Sequence, residues 1–175
     1  MATLYTHAVV GLGLGSVFTS RRVHPLFWIL AGFLPIVPDF DAFSTSPYGS
    51  LWGHRGFTHS LCFALGLSLV AAALAFRFLH ARFWPLFGLF FLITASHGIL
   101  DAFTNGGFGI PFFWPLHNQR YGRWGPIQVA DIGFEIPDPR VSRAVRTELA
   151  YVWLPLAVLV GIVWACRRYR QTRAR

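Results

Sequence analysis

The sequence predicts an all-α protein, a polytopic transmembrane bundle of about five membrane helices with a long interfacial loop between the fourth and the fifth. Three observations lead there. Hydrophobic residues make up 54% of the 175, and the mean hydropathy is +0.49. Charged residues make up only 13%, where soluble domains carry roughly 25%. The apolar residues also gather into runs approaching the roughly 20 that a helix needs to cross a hydrocarbon core of about 30 Å. A chain of this length has room for one domain, residues 1–175.

Helix one is expected at about residues 4–19. Gly11, Gly13 and Gly15 give it a small-residue face suited to close helix packing. The same glycines lack the spacing and the preceding strand of a dinucleotide-binding loop. No basic stretch precedes this apolar run, so it reads as a retained helix and not a cleaved leader. Helix two, about 23–37, is framed or kinked by Pro25, Pro35 and Pro38. Helix three spans about 61–79, helix four about 83–103 and helix five about 151–166. In the extramembrane loop, about 105–148, Phe112, Phe113, Trp114, Tyr121 and Trp124 read as an interfacial aromatic belt. Pro137 and Pro139 then precede a helix with Arg140, Arg143 and Arg146 along one face, expected to lie on the headgroups before turning into helix five. Cys62 and Cys166 fall near opposite ends of their helices, too far apart to be bridged.

The net charge is +8, and all fifteen basic residues are arginine. They sit in loops and the C-terminal tail, which reads as topology signal and lipid-headgroup contact; no nucleic acid partner is expected. Nine arginines fall on one side of the predicted bundle and six on the other. This split favours an extracytoplasmic N-terminus and a cytoplasmic C-terminus, in a bacterial inner membrane.

Ionisable residues beside a bilayer are costly and mark a functional site by default. Here they form clusters: His7, Asp39 with Asp41, His54 with Arg55 and His59, His97 with Asp101, and Asp131 in the long loop. In an alternating bundle the starts of odd helices and the ends of even helices share one face. His7 and His54/His59 are at such starts, and Asp39/Asp41 and His97/Asp101 at such ends, so these clusters converge on one side. The long loop joins them there. His24 and His80 fall on the opposite face. Glu135, Asp138 and Glu148 are expected at the surface, and His117 is a weaker candidate for the site.

The spacings suit a metal. His97 and Asp101 are four apart, so both project from one helix face. Asp39 and Asp41 are expected on a short non-helical stretch after Pro38, where alternate residues point the same way. Gly56 provides a turn that folds His54 and His59 toward one centre. Imidazole with carboxylate fits Zn²⁺, Mn²⁺ or Fe²⁺, and the absence of nearby cysteine argues against a thiolate structural site. The expected metal ligands are His7, Asp39, Asp41, His54, His59, His97, Asp101 and Asp131. That number allows two ions bridged by a carboxylate, an arrangement suited to phosphoester cleavage. Asp39 or Asp41 would serve as catalytic base, and Arg55 would grip and orient a phosphate. Thr58, Ser60 and Thr104 are second-row partners. The expected substrate is a phosphoester, a phospholipid or a lipid-linked molecule, at headgroup level on the extracytoplasmic face.

The order His7, Pro38-Asp39-Phe40-Asp41, His54-Arg55-Gly56-Phe57-Thr58-His59-Ser60, His97-Gly98-Ile99-Leu100-Asp101 resembles the YdjM-like family of membrane-bound metal-dependent hydrolases, over about residues 1–135. That family is distantly similar to the zinc-dependent phospholipases C and fungal zinc nucleases. The resemblance implies a mostly helical hydrolase with His7, Asp39, His54, His97 and Asp101 among its ligands. Two departures reduce the expected zinc count to one or two. Those enzymes ligate through a processed N-terminal amine, whereas this chain begins Met-Ala-Thr-Leu-Tyr, and their later His-x-x-x-Asp/Glu ligands have no clear counterpart here.

A competing class is a non-enzymatic membrane protein with a metal-binding site or an ion path. A path needs polar residues at mid-depth and on both faces, yet residues 61–76 contain no acid, arginine or histidine. A phosphohistidine lipid phosphatase needs an upstream lysine, and the chain has none. An intramembrane zinc protease needs His-Glu-x-x-His, which does not occur.

Overall fold

The computed structural model describes residues 1–19, 23–129 and 139–173. Its elements are α1 (Leu4–Phe18), α2 (Pro25–Phe33) continued by a 3₁₀ segment (Leu34–Phe43), a 3₁₀ turn (Phe57–His59), α3 (Leu61–Ala75), α4 (Phe83–Ala102), α5 (Pro139–Glu148), a π-helical segment (Leu149–Trp153) and α6 (Leu154–Arg173). Among the described residues the only β pairings are two isolated bridges, Thr104 with Ile127 and Ile110 with Tyr121. Among the described residues, three stretches are long and apolar enough to cross a membrane: Pro25–Phe43, Phe83–Ala102 and Ser142–Arg173. Leu4–Phe18 and Leu61–Ala75 are apolar but shorter. The all-helical bundle expected from the sequence is present.

Local chemistry starts the first three α-helices where they begin. Thr3 caps α1 through its hydroxyl, which accepts the Thr6 N–H, and Ser60 caps α3 by accepting from Phe63. Pro25 opens α2, where a missing N–H costs nothing, and His24 Nδ1 accepts from Leu26. Pro38 cannot donate to the carbonyl four residues back, and the chain tightens into 3₁₀ geometry in this stretch. Asp39 and Asp41 therefore lie inside a helical segment and not on the extended stretch expected. Three residues per turn sends side chains two apart in different directions, and the two carboxylates meet different partners.

No break separates the helix expected after Pro139 from helix five: α5 runs on through the π segment into α6. The wide turn lies just ahead of Pro155, which cannot donate to Tyr151.

The apolar core is built by Phe27, Ala31 and Leu34 of the second element, Ala72 and Ala75 of α3, and Leu86, Phe90 and Ile93 of α4. Lipid removes much of the hydrophobic drive between helices, so close fit must hold them together. Gly11 provides it: a Cβ there would sit 2.1 Å from the Ala31 carbonyl oxygen. Gly13 faces the other way, against Leu156 of α6. Trp153 Nε1 donates to Thr6 Oγ1, and Arg167 donates to the carbonyls of Ser16, Val17 and Thr19. Residue 6 thus pairs with 153 and residues 16–19 with 167, so α1 and α6 run parallel. The outer surface of α6 is almost wholly exposed. Cys62 and Cys166 are both free and exposed.

Candidate metal centre

His7 enters from the first turns of α1, Asp39 from the 3₁₀ segment, His59 from the short turn before α3, and His97 with Asp101 from successive turns of α4. Gly98 lets these elements meet, because a Cβ on it would lie 2.9 Å from the His59 carbonyl oxygen. The loop after α4 closes over the turn, with Leu61 N–H donating to Phe112 O. All five side chains are buried, none more than 4% exposed.

Most of their polar atoms face one another without hydrogen-bond partners. His97 Nε2 is 3.5 Å from Asp39 Oδ1, and His59 Nε2 is 3.7 Å from both Asp39 Oδ1 and Asp101 Oδ2. His7 Nε2 lies 3.6 Å from Asp101 Oδ1, and its ring stacks on His97 at 4.0 Å. Both His7 nitrogens, both Asp39 oxygens, His59 Nε2, His97 Nε2 and Asp101 Oδ2 are buried without a partner. Buried polar atoms are almost always satisfied, so this concentration requires an explanation. A divalent cation would supply one. Zinc bonds of about 2.1 Å put tetrahedral ligand atoms about 3.4 Å apart, close to the separations here. The donor set of imidazole nitrogen and carboxylate oxygen fits zinc, manganese or ferrous iron.

Two of the imidazoles are held with Nε2 toward the centre. His97 Nδ1 donates to the Pro35 carbonyl at 2.7 Å, which leaves a lone pair on Nε2. His59 Nδ1 lies 3.2 Å from Asp41 Oδ2 and 3.1 Å from the Thr58 hydroxyl, so its Nε2 faces Asp39 and Asp101. Burial opposes charge on His59, but the carboxylates of Asp101, Asp39 and Asp41 around it outweigh that and raise its pKa to about 10. A proton on His59 thus balances the acids when no cation does. Asp101 Oδ1 also accepts the Ala2 N–H at 2.9 Å, which ties the start of the chain to α4.

Asp41, His54 and His59 form a second grouping. Asp41 Oδ1 is 2.7 Å from His54 Nδ1, and Asp41 Oδ2 accepts from the Thr58 hydroxyl. Arg55 is wholly buried with a left-handed backbone, φ 64°. Its Nη1 donates to Gly106 O and its Nη2 to Thr104 Oγ1, while Nε lies 3.4 Å from Asp101 Oδ2. The guanidinium expected to grip a phosphate is thus directed at a site carboxylate and the loop after α4.

Of the other expected residues, Ser60 serves as helix cap and Thr104 bridges Arg55 to the Asp101 carbonyl. His117 lies exposed against Phe113 and Tyr121, apart from the cluster. Asp131, like Glu135 and Asp138, falls outside the described residues.

Two residues escaped the sequence reading. Arg120 donates to the carbonyls of Arg55, Gly109 and Gly49, locking the His54–Gly56 turn to the loop after α4. Burial lowers its pKa. Glu148, expected at the surface, is 2% exposed and accepts from Thr3 N, Thr3 Oγ1 and Thr6 Oγ1. Neither carried a motif: each is a lone charge whose partners lie far along the chain.

Fold and site define a helical membrane protein with a buried carboxylate–imidazole cluster able to hold a metal ion. The chain belongs to the YdjM inner membrane protein family, which matches residues 1–172. It is 35% identical to inner membrane protein YbcI of Escherichia coli (strain K12) over 177 residues, covering 96% of this chain and all of that one. No solved structure matches.

Proposed function

We propose that this protein is a membrane-bound metal-dependent hydrolase that cleaves a phosphoester of a phospholipid or lipid-linked substrate. The observation that carries the reading is the set of buried, unpartnered donor atoms on His7, Asp39, His59, His97 and Asp101. A divalent cation held there would acidify water and offset charge on a phosphoryl group, the chemistry that phosphoester hydrolysis needs. Asp39, His59, His97 and Asp101 would hold it, with His7 beside Asp101. Asp39 has both oxygens free of protein partners, so one can orient or accept a proton from an attacking water while the other ligates. Arg55 offsets negative charge at Asp101 from behind. The low dielectric of the buried site strengthens each of these interactions. The arginine split supports placing this face outside the cytoplasm, at headgroup level.

The test is hydrolysis by the purified full chain in lipid nanodiscs. After chelation it is reloaded with zinc, manganese or ferrous iron and offered a panel of phospholipids and lipid-linked phosphates. Metal-dependent release of a phosphorylated or dephosphorylated product is expected. His97→Ala and Asp39→Ala should abolish it while the protein still inserts. Undiminished turnover after metal removal, or none on any phosphoester, would overturn the reading.

A further inference from the structure

Two donor groupings share His59, and they are not equivalent. Resting on the metal-dependent reading above, we infer that Asp41, His54 and Thr58 form no second ion site but an outer shell that fixes how His59 presents Nε2. These three are positioning residues.

The contrast lies in where the unpartnered atoms are. In the grouping of Asp39, His59, His97 and Asp101, every residue contributes a buried atom with no partner, and His7 beside it contributes two. Among the side-chain atoms of Asp41, His54 and Thr58 none is in that condition. Asp41 Oδ1 is matched by His54 Nδ1 at 2.7 Å, and Asp41 Oδ2 by the Thr58 hydroxyl, with His59 Nδ1 3.2 Å away. An ion placed there would have to break bonds already made.

It would also need both nitrogens of one ring. A neutral imidazole offers a single lone-pair nitrogen; the other carries hydrogen. With Nε2 turned to Asp39 and Asp101, Nδ1 must be the N–H, and Asp41 with Thr58 provides its acceptors. His97 is held in the same way, with its Nδ1–H on the Pro35 carbonyl. Both rings thus have a fixed rear contact and a free front nitrogen, as metal-ligating histidines do. His54 continues the chain outward: it orients Asp41, and its own ring packs on Tyr48 at 5.4 Å.

Removing such an outer partner typically costs about 10–100-fold in metal affinity without removing the site. The experiment is a cobalt titration of the detergent-purified full chain, which reads stoichiometry, affinity and the visible d–d bands. Wild type is compared with His54→Ala, Asp41→Ala, Asp41→Asn and, as control, His97→Ala. The first two should bind as many cobalt ions at saturation as wild type, with about 10–100-fold weaker affinity and shifted bands. Asp41→Asn should recover part of that loss, because its amide oxygen still accepts the His59 N–H; this keeps the test decisive where Asp41→Ala folds poorly. His97→Ala should lose an ion outright. Loss of one equivalent in His54→Ala, with the remaining affinity intact, would overturn the inference and establish a second ion site. Unchanged affinity and spectrum in both Asp41 variants and His54→Ala would also overturn it. No cobalt bound by wild type would instead sink the metal-dependent reading itself.

Discussion

Glu148→Ala is the perturbation that most directly tests how the bundle holds its site. Glu148 accepts from Thr3 N at 2.5 Å, Thr3 Oγ1 at 2.7 Å and Thr6 Oγ1 at 2.8 Å. Thr6 precedes His7, so this carboxylate anchors the first turn of α1 to the last helix. Hydrogen bonds to a charged group contribute about 1.5–3 kcal/mol each, and each buried donor left unsatisfied costs about 1–3 kcal/mol. One of the three donors has local relief: the Thr3 hydroxyl lies 3.2 Å from Thr6 Oγ1, which can accept from it. The Thr3 N–H has no comparable alternative. The expected destabilisation is therefore about 3 kcal/mol, below the simple sum of three charged bonds. Glu148→Gln keeps one carbonyl oxygen as acceptor and should cost about 1 kcal/mol. The assay is reversible unfolding in mixed micelles, followed by tryptophan fluorescence and circular dichroism. A Glu148→Ala variant within about 0.5 kcal/mol of wild type, the range of ordinary surface substitutions, would refute the assignment of Glu148 as a buried anchor.

Other expectations follow from the same contacts. Gly98→Ala should raise the helix propensity of α4 by up to about 1 kcal/mol. Its Cβ would nonetheless press on the His59 carbonyl at 2.9 Å, so metal affinity measured by titration should fall about tenfold; unchanged affinity would contradict the close approach. Arg55→Met should cost about 3 kcal/mol in the same unfolding assay, because it removes one of the two buried positive groups beside Asp101 and the nearer donor to the Gly106 carbonyl. A neutral result would show that the guanidinium is not needed inside. Binding of zinc at neutral pH should release at least one proton per ion, since His59, raised to about 10, is protonated until the cation replaces the proton. Affinity should accordingly climb as pH rises toward that value. A pH indicator in weak buffer reads the release, and no release would contradict a charged His59.

The expected clusters were legible because chemistry and spacing agree within short stretches. His97 and Asp101 share an α4 face by their four-residue interval alone, and helix parity brings them to the side of His7 and His59. The roles of individual members were less legible. In the sequence Asp41 and His54 rank with Asp39 and His59, since composition cannot tell a donor facing an open centre from one facing another side chain. Asp39 and Asp41 separate only because the segment around Pro38 winds as a 3₁₀ helix, in which residues two apart diverge. Arg55 has the charge to hold a phosphate, but its partners Gly106, Thr104 and Asp101 lie about 50 residues away, where no local pattern points.

By itself, the sequence determined that the chain is a helical membrane protein, where its polar clusters lie, and that they meet at one end of the bundle. Periodicity, run length and the alternation of passes through a bilayer are enough for that, because each is set by local or one-dimensional constraints. Only the tertiary structure decided that Glu148 is an internal anchor, that Arg120 ties the histidine turn to the loop beyond α4, and that, among the described residues, the unpartnered buried side-chain atoms gather at one centre, Arg55 Nε beside Asp101 included. Those outcomes depend on contacts between residues up to 145 positions apart and on the last hydrogen bond each atom makes. Such pairings are selected by packing in three dimensions, and no interval along the chain encodes them.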